Sequence, residues 1–203
     1  LKQEIPINEE KINSKSHQTI QSLEKIQIQE ASSTKSEKQK IYGIYEPANF
    51  DLNLNMWSTT NAEDLRSSLK RIDKISLSKS SREILEMILF SFSYPPQGMS
   101  EKEFVNLKIN WLIKNEREDL LENFLKLNED FENKSKAVQY LVDKNISTGN
   151  IKKGCEKIGF IDAKIKDAYL EKFKIYCLIF DNKKPEAQLL LDLLREQKQS
   201  SKF

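Results

Sequence analysis

Three segments of the chain follow one plan, in which an apolar helix end leads through a polar corner into a second amphipathic helix. They are INWLIKNEREDLLENFLKL, QYLVDKNISTGNIKKGCEKI and IYCLIFDNKKPEAQLLLDLL. Their corners, at Asn115, Gly149 and Asn182, are spaced almost evenly along the chain. Helix pairs that recur at a constant period bury their apolar faces only by stacking on one another, so this spacing constrains the fold most.

The spacing matches the period of tetratricopeptide-like helix–turn–helix repeats, which is about 34 residues. The sequence therefore predicts an all-α fold, built as a short right-handed stack of degenerate repeats, since most signature residues of that repeat are missing. A plain helical bundle is the alternative. Composition favours helices, because Gly and Pro number only five each, and 38% hydrophobic residues suffice for one ordinary core.

Three capping boxes predict helices that begin near residues 61, 81 and 101. In each box a hydroxyl side chain stands three residues before a carboxylate, and the two groups satisfy first-turn amides. The second helix carries a wide apolar stripe, ends at the Tyr-Pro-Pro at 94–96, and is expected to be largely buried. The boxes are Thr60 with Glu63, Ser80 with Glu83, and Ser100 with Glu103, and the stripe is Ile84, Leu85, Ile88, Leu89 and Phe92.

The helical domain is expected to span residues 60–198. Residues 1–40 are polar and carry no aromatic side chain, which predicts a disordered or loosely helical leader, with a transient helix at 18–31. Residues 41–59 contain Tyr, Phe, Met and Trp without a helical period, which indicates an extended aromatic arm. The arm either docks on its own domain or is offered to another molecule. Residues 199–203 are expected to fray.

The last helix is predicted to close the stack. Pro185 suits a first helical turn, and the apolar stripe that follows is expected to pack on the preceding helix, at about 165–181. Leu189 and Leu193 widen that stripe. The predicted contact joins Ala187, Leu190, Leu191 and Leu194 to Leu170, Phe173, Cys177 and Phe180.

The chemistry of the chain argues against an enzyme. His17 is the only histidine and lies in the leader, which disfavours histidine-based catalysis and a His-ligated metal in the folded part. Adjacent carboxylates such as Glu118 and Asp119 diverge on a helix and are interpreted as solvated charge. We expect no cofactor and no metal.

The charge pattern gives little support for nucleic-acid binding. The 33 basic and 31 acidic residues leave a net charge of +2. The local lysine excess between Lys134 and Lys184 contains no arginine, so it is interpreted as a solvated face rather than a nucleic-acid patch. No apolar run reaches the length of about 18 residues that a membrane span requires.

Cys155 and Cys177 lie on the apolar stripes of consecutive helices. They are either two independent buried thiols or a disulfide between the last two helix pairs, and a disulfide would need an oxidising compartment.

Three stretches, KFKIYCLIFDNKKPEAQLLLDLLREQ, GCEKI and the MW at 56–57, resemble the helical-repeat region of a family of uncharacterised alphaproteobacterial proteins that often carry a signal peptide. The resemblance covers roughly residues 44–198 and is most specific in the last thirty. It implies cysteines on the two helices that hold Cys155 and Cys177, hence a disulfide and an exported, periplasmic protein. An apolar cleavable segment ahead of Leu1 is expected with it.

The function we expect is a non-catalytic protein-interaction scaffold or adaptor of the bacterial cell envelope. A cytoplasmic interaction or regulatory domain that uses the lysine face is the alternative, and a cryptic hydrolase or lyase is the third. A protein or peptide partner is expected in a groove along the first helix of each pair, although an ordinary hydrated face is the simpler interpretation. The expected groove positions are Asn106, Asn110, Gln139, Asp143, Glu171 and Lys174.

Overall fold

The chain divides into two units, Leu1–Gln39 and Lys40–Phe203. The structure, a computed structural model, describes residues of the second unit, namely 40–128, 130–161 and 166–196. The predictions made for residues 1–39, including the helix at 18–31, and for the end at 199–203 fall outside the described residues.

The prediction of an all-α fold is confirmed. The described residues form eight α-helices and no strand, apart from two isolated β-bridges. Two short 3-10 helices, Pro47–Phe50 and Ile158–Phe160, join them. The α-helices are α1 (Ala62–Ile72), α2 (Lys79–Phe90), α3 (Glu101–Lys114), α4 (Glu118–Leu127), α5 (Lys134–Ser147), α6 (Ile151–Lys157), α7 (Ala168–Phe180) and α8 (Lys184–Glu196).

The three corners between α3 and α4, α5 and α6, and α7 and α8 share one backbone conformation. Each holds a left-handed residue, namely Glu116, Gly149 and Asn182, with φ of 51°, 74° and 61°. The amide just after that residue donates to a carbonyl near the end of the preceding helix, which is the Schellman way of ending a helix. These bonds run from Arg117 to Leu112 at 2.9 Å, from Asn150 to Asn145 at 2.8 Å, and from Lys183 to Leu178 at 2.8 Å.

The left-handed residues of these corners recur at one constant interval along the chain. Helices α4, α6 and α8, which begin at Glu118, Ile151 and Lys184, recur at the same interval, here called the period of the fold. Each pair of helices contacts the next, and α5 contacts both α3 and α7. The register does not reach α1 and α2, because the position one period before the first corner is Glu83, inside α2. Regular spacing is therefore a property of α3 to α8.

Residues 41–59 lie against the helices. The Ile44 amide donates to the Phe90 carbonyl at 2.6 Å, and the Phe92 amide donates to the Tyr45 carbonyl at 3.0 Å. Gly43 approaches this backbone so closely that a Cβ atom there would stand 2.5 Å from the Phe92 nitrogen. Tyr42 and Trp57 contact rings of the helical core, Phe131 and Phe104, each edge-on at 6.2 Å.

A buried lysine fixes this segment to the core. Lys108 on α3 is fully buried, and its amine donates to the carbonyl of Tyr42 at 2.7 Å and to that of Ser91 at 3.3 Å. The amine also lies 4.4 Å from the centre of the Phe104 ring. Lys108 therefore joins three elements of the fold: the segment 41–59, the end of α2, and α3.

Asn128 makes a second connection to the same segment. Its side chain donates to the Gly43 carbonyl at 2.8 Å and accepts from the Gly43 amide at 3.2 Å. Asn128→Ala leaves both backbone groups without these partners, so we expect the free energy of unfolding to fall by about 2 kcal/mol in urea titrations. Asn115→Ala is the matched control, because Asn115 makes a single side-chain bond, to the Trp111 carbonyl. Equal losses in the two variants would contradict this role for Asn128.

The capping boxes predicted one helix start correctly. Ser100 caps α3 by accepting from the Glu103 amide. The other two caps were predicted wrongly, since Asn61 caps α1 and Ser78 caps α2. At α1 the Thr60 carbonyl accepts from the Gln97 amide, which ties Thr60 to the loop after α2 and passes the cap to the next residue.

The predicted stripe of α2 is wrong in part. Leu89 is buried, but Ile84 is 53% exposed, and the buried face instead includes Glu86 and Phe90. The reason is that Glu86 pairs with Arg117 at the first corner, which turns this side of α2 inward. The helix ends at Phe90, before the prolines at 95–96.

The predicted packing between α7 and α8 is right for α8 and wrong for α7. Ala187, Leu190, Leu191 and Leu194 do face α7, but they meet Ile175 and Leu178 in a small core of their own. Leu170, Phe173 and Cys177 belong to the main core, because α7 is apolar on all sides and lies between two layers. Phe180, Leu189 and Leu193, predicted to be in the contact, are exposed.

Candidate functional site

Hydrogen bonds between the first helices of successive pairs form a polar seam. Lys136 at the start of α5 donates to the Asn110 side-chain oxygen on α3 at 2.8 Å. One period later in the register, the Tyr169 hydroxyl on α7 donates to the Asp143 carboxylate on α5. Donor and acceptor are both shifted by the same period, so the same contact occurs twice.

Two further bonds belong to this seam. Asn133 donates to the Asn106 side-chain oxygen at 2.9 Å, and Gln139 donates to Asp167 at 2.8 Å. Four of the six residues predicted for the groove, Asn106, Asn110, Gln139 and Asp143, therefore lie together on the seam. Their oxygen atoms, or in Gln139 the amide nitrogen, hold neighbouring pairs in place.

The remaining two predicted residues, Glu171 and Lys174, lie off the seam. Glu171 is half-buried and Lys174 is exposed, and neither makes a side-chain bond within the described part of α7. The register places Lys172 and Tyr176 at the positions that Asn106 and Asn110 occupy in α3. A shift of the two asparagines by two periods along the sequence is the signal that would have identified them.

A groove of about 390 Å³ lies between α1 and α3. Leu69, Leu107 and Trp111 provide its apolar lining. An ion pair borders it on either side: Arg66 contacts Glu103, with a second bond from Nε at 2.9 Å, and Lys114 contacts Asp73 at 2.6 Å.

Asn106 and Asn110 also line this groove. Their side-chain oxygens are occupied by Asn133 and Lys136 of α5, whereas neither amide nitrogen has a protein acceptor among the described residues. Each nitrogen therefore has donors to offer to an acceptor in the groove. Lys70, which is exposed, adds a cation to the same lining.

A second concave surface lies at the other end of the first helices, where α7 meets the corner between α5 and α6. It measures about 380 Å³ and is lined by Ile146, Ile151, Tyr169, Lys172, Phe173 and Tyr176. Burial, and then the hydrogen bond to Asp143, raises the pKa of Tyr169 to about 12. The Tyr169 hydroxyl therefore remains a donor to Asp143 at neutral pH.

A disulfide joins α6 to α7 beside this surface. The Sγ atoms of Cys155 and Cys177 are 2.08 Å apart, and their Cα atoms are 5.5 Å apart. Of the two arrangements that the sequence left open, the structure contains the bonded one.

Two searches of the described residues bear on other classes of function. No group of three or more His, Cys, Asp or Glu side chains is placed to hold a metal ion in the described ranges. Within the same ranges, every helix is too short or too polar to cross a membrane.

Comparison with protein-family models, with curated proteins and with solved structures finds no match to this chain. The resemblance to exported alphaproteobacterial helical-repeat proteins therefore stays a prediction.

Proposed function

We propose that this chain is a non-catalytic protein-interaction scaffold made of a short right-handed stack of tetratricopeptide-like helix pairs. The repeated corner and the repeated seam bond, both shifted by the same period, support a repeat in α3 to α8. In such stacks the first helices line the inner surface. Residues 41–59 serve as an arm that braces the first helices, in keeping with their contacts to Phe104 and Phe131.

The observation that carries the proposal is the groove between α1 and α3. It combines an apolar lining with two side-chain amides whose donors are not used by the described part of the protein. Extended peptides present backbone carbonyls that accept from such donors, and their side chains fill apolar grooves. A peptide segment of a protein partner is therefore the occupant that the groove fits best.

The proposed location is the cell envelope, in the periplasm. The bond between Cys155 and Cys177 supports this location, because disulfides persist mainly in oxidising compartments.

The groove is tested by the double variant Asn106→Asp and Asn110→Asp. Aspartate keeps an oxygen for Asn133 and Lys136 but replaces each amide donor by an acceptor, so the seam survives while the groove repels carbonyl groups. In a quantitative capture from native extract, we expect the variant to retain about a tenth or less of the partner that the wild type retains, a loss of about 1.4 kcal/mol.

The matched control is Asn53→Asp with Asn55→Asp. Both residues are exposed in the segment before α1, and Asn53 caps the Asn55 amide through an oxygen that aspartate retains. This control makes the same change in charge and should capture as the wild type does. Unchanged capture by the groove variant, in a chain that melts normally, would show that the groove is not the binding surface.

A further inference from the structure

The cleft between α7 and the corner of α5 and α6 exposes aromatic rings on a helix that is otherwise buried. Tyr169 and Tyr176 are 43% and 46% exposed. The Tyr176 ring stacks on Phe173 with centroids 5.8 Å apart and an interplanar angle of 21°. Ile146 and Ile151 form the opposite wall. The result is an apolar cleft in which rigid rings stand ready to contact an inserted side chain.

The helices that form this cleft are basic. Within α6 and α7 there are five lysines and two glutamates, and Lys172 stands in the cleft wall itself. The Asp143 carboxylate nearby already accepts the Tyr169 hydroxyl. A partner with acidic groups beside its apolar side chains would therefore meet complementary charge.

We propose that this cleft binds an amphipathic helix of a protein partner, with apolar side chains inserted between Tyr176 and Ile151 and acidic residues facing the lysines. A helix suits the site because an amphipathic helix lays its apolar face into a groove and anchors it at positions about one turn apart. The inference rests on the proposed function, since it places a partner on the same first helices.

The shape and composition of the cleft favour a peptide over other anionic partners. A bilayer takes up apolar side chains that protrude, whereas this surface is concave and receives them. Helices α6 and α7 contain no arginine, the residue that most often forms bidentate contacts with phosphates and bases. An acidic peptide helix is therefore the occupant that uses both the rings and the lysines.

The test is a display selection of random peptides of about 15 residues, roughly four helical turns, on the oxidised full-length chain. We expect enriched peptides to carry net negative charge and apolar residues at helical spacing. In fluorescence anisotropy, Tyr176→Ala and Lys172→Glu should each weaken an enriched peptide by about tenfold or more. Leu189→Ala is the matched control, because Leu189 is 64% exposed on α8 and outside the cleft, and its binding should equal that of the wild type.

Enrichment of basic or unpatterned peptides would overturn the proposal, as would unchanged binding in both cleft variants. Tighter binding of single-stranded DNA or of phosphatidylglycerol vesicles than of the enriched peptide, lost in Tyr176→Ala, would assign the cleft to that ligand instead. The groove variant Asn106→Asp with Asn110→Asp separates this proposal from the proposed function. It should bind the enriched peptide normally, so failure at one surface does not decide the other.

Discussion

The free energy of unfolding of the wild-type chain is expected to rise, relative to that of Lys108→Met, by about 1.4 kcal/mol per pH unit between about pH 7 and pH 10. Burial lowers the pKa of Lys108 to about 7, whereas an unfolded lysine titrates near about 10.4. Between these values the unfolded state binds more protons than the folded state, so stability rises with pH. Below the folded pKa the two states are equally protonated, and the dependence on pH disappears.

The geometry around Lys108 is consistent with a neutral amine. A neutral amine has two N–H donors, and the structure supplies two carbonyl acceptors, Tyr42 and Ser91. Over the whole window the gain amounts to about 4 kcal/mol. Urea titrations at a series of pH values measure it, and Lys70→Met is the matched control because it removes an exposed amine. Parallel curves for wild type and Lys108→Met would refute the prediction.

Loss of the disulfide is expected to lower the free energy of unfolding by about 3 kcal/mol. Cys155 and Cys177 are 22 residues apart, and closing a loop of about that length removes about 3 kcal/mol of chain entropy from the unfolded state. The bond also holds α7 against α6. Its loss should therefore loosen α7 and α8 before the rest of the fold.

Denaturation with and without a thiol reductant measures this effect. The variant Cys155→Ala with Cys177→Ala should match the reduced wild type and show no response to reductant, which makes it the control for side effects of the reagent. Mass spectrometry after alkylation of protein from its native compartment provides the independent check. Two alkylated thiols there would rule out the bridge and remove the support for an envelope location.

The local signals in the sequence predicted much of the helical order. Polar corners near Asn115, Gly149 and Asn182 lie where helices end, because glycine and asparagine tolerate the left-handed conformation that a Schellman ending needs. Ser100 caps α3 as predicted. Asn106 and Asn110 were found for a similar reason, since polar side chains off the apolar stripe of a helix face either solvent or a neighbouring polar helix.

What the sequence did not predict depends on contacts between distant segments. Lys108 falls within the apolar face of α3, and only the carbonyls of Tyr42 and Ser91 explain its burial. The face of α7 was misassigned because a helix that is apolar all round has no period to read. Tyr176 and Lys172 were missed for that reason, although a shift of two periods from α3 points to both.

The two apolar faces of α7 have a consequence for biosynthesis. As the chain emerges from its N-terminal end, α7 can at once bury Leu170 and Cys177 against α5 and α6, which are already complete. Its other face, with Ile175 and Leu178, waits for α8. At a synthesis rate of about 5–20 residues per second, the missing helix follows within about one to three seconds. During that interval the nascent stack ends in an uncovered apolar surface, the form in which a holding chaperone would meet it.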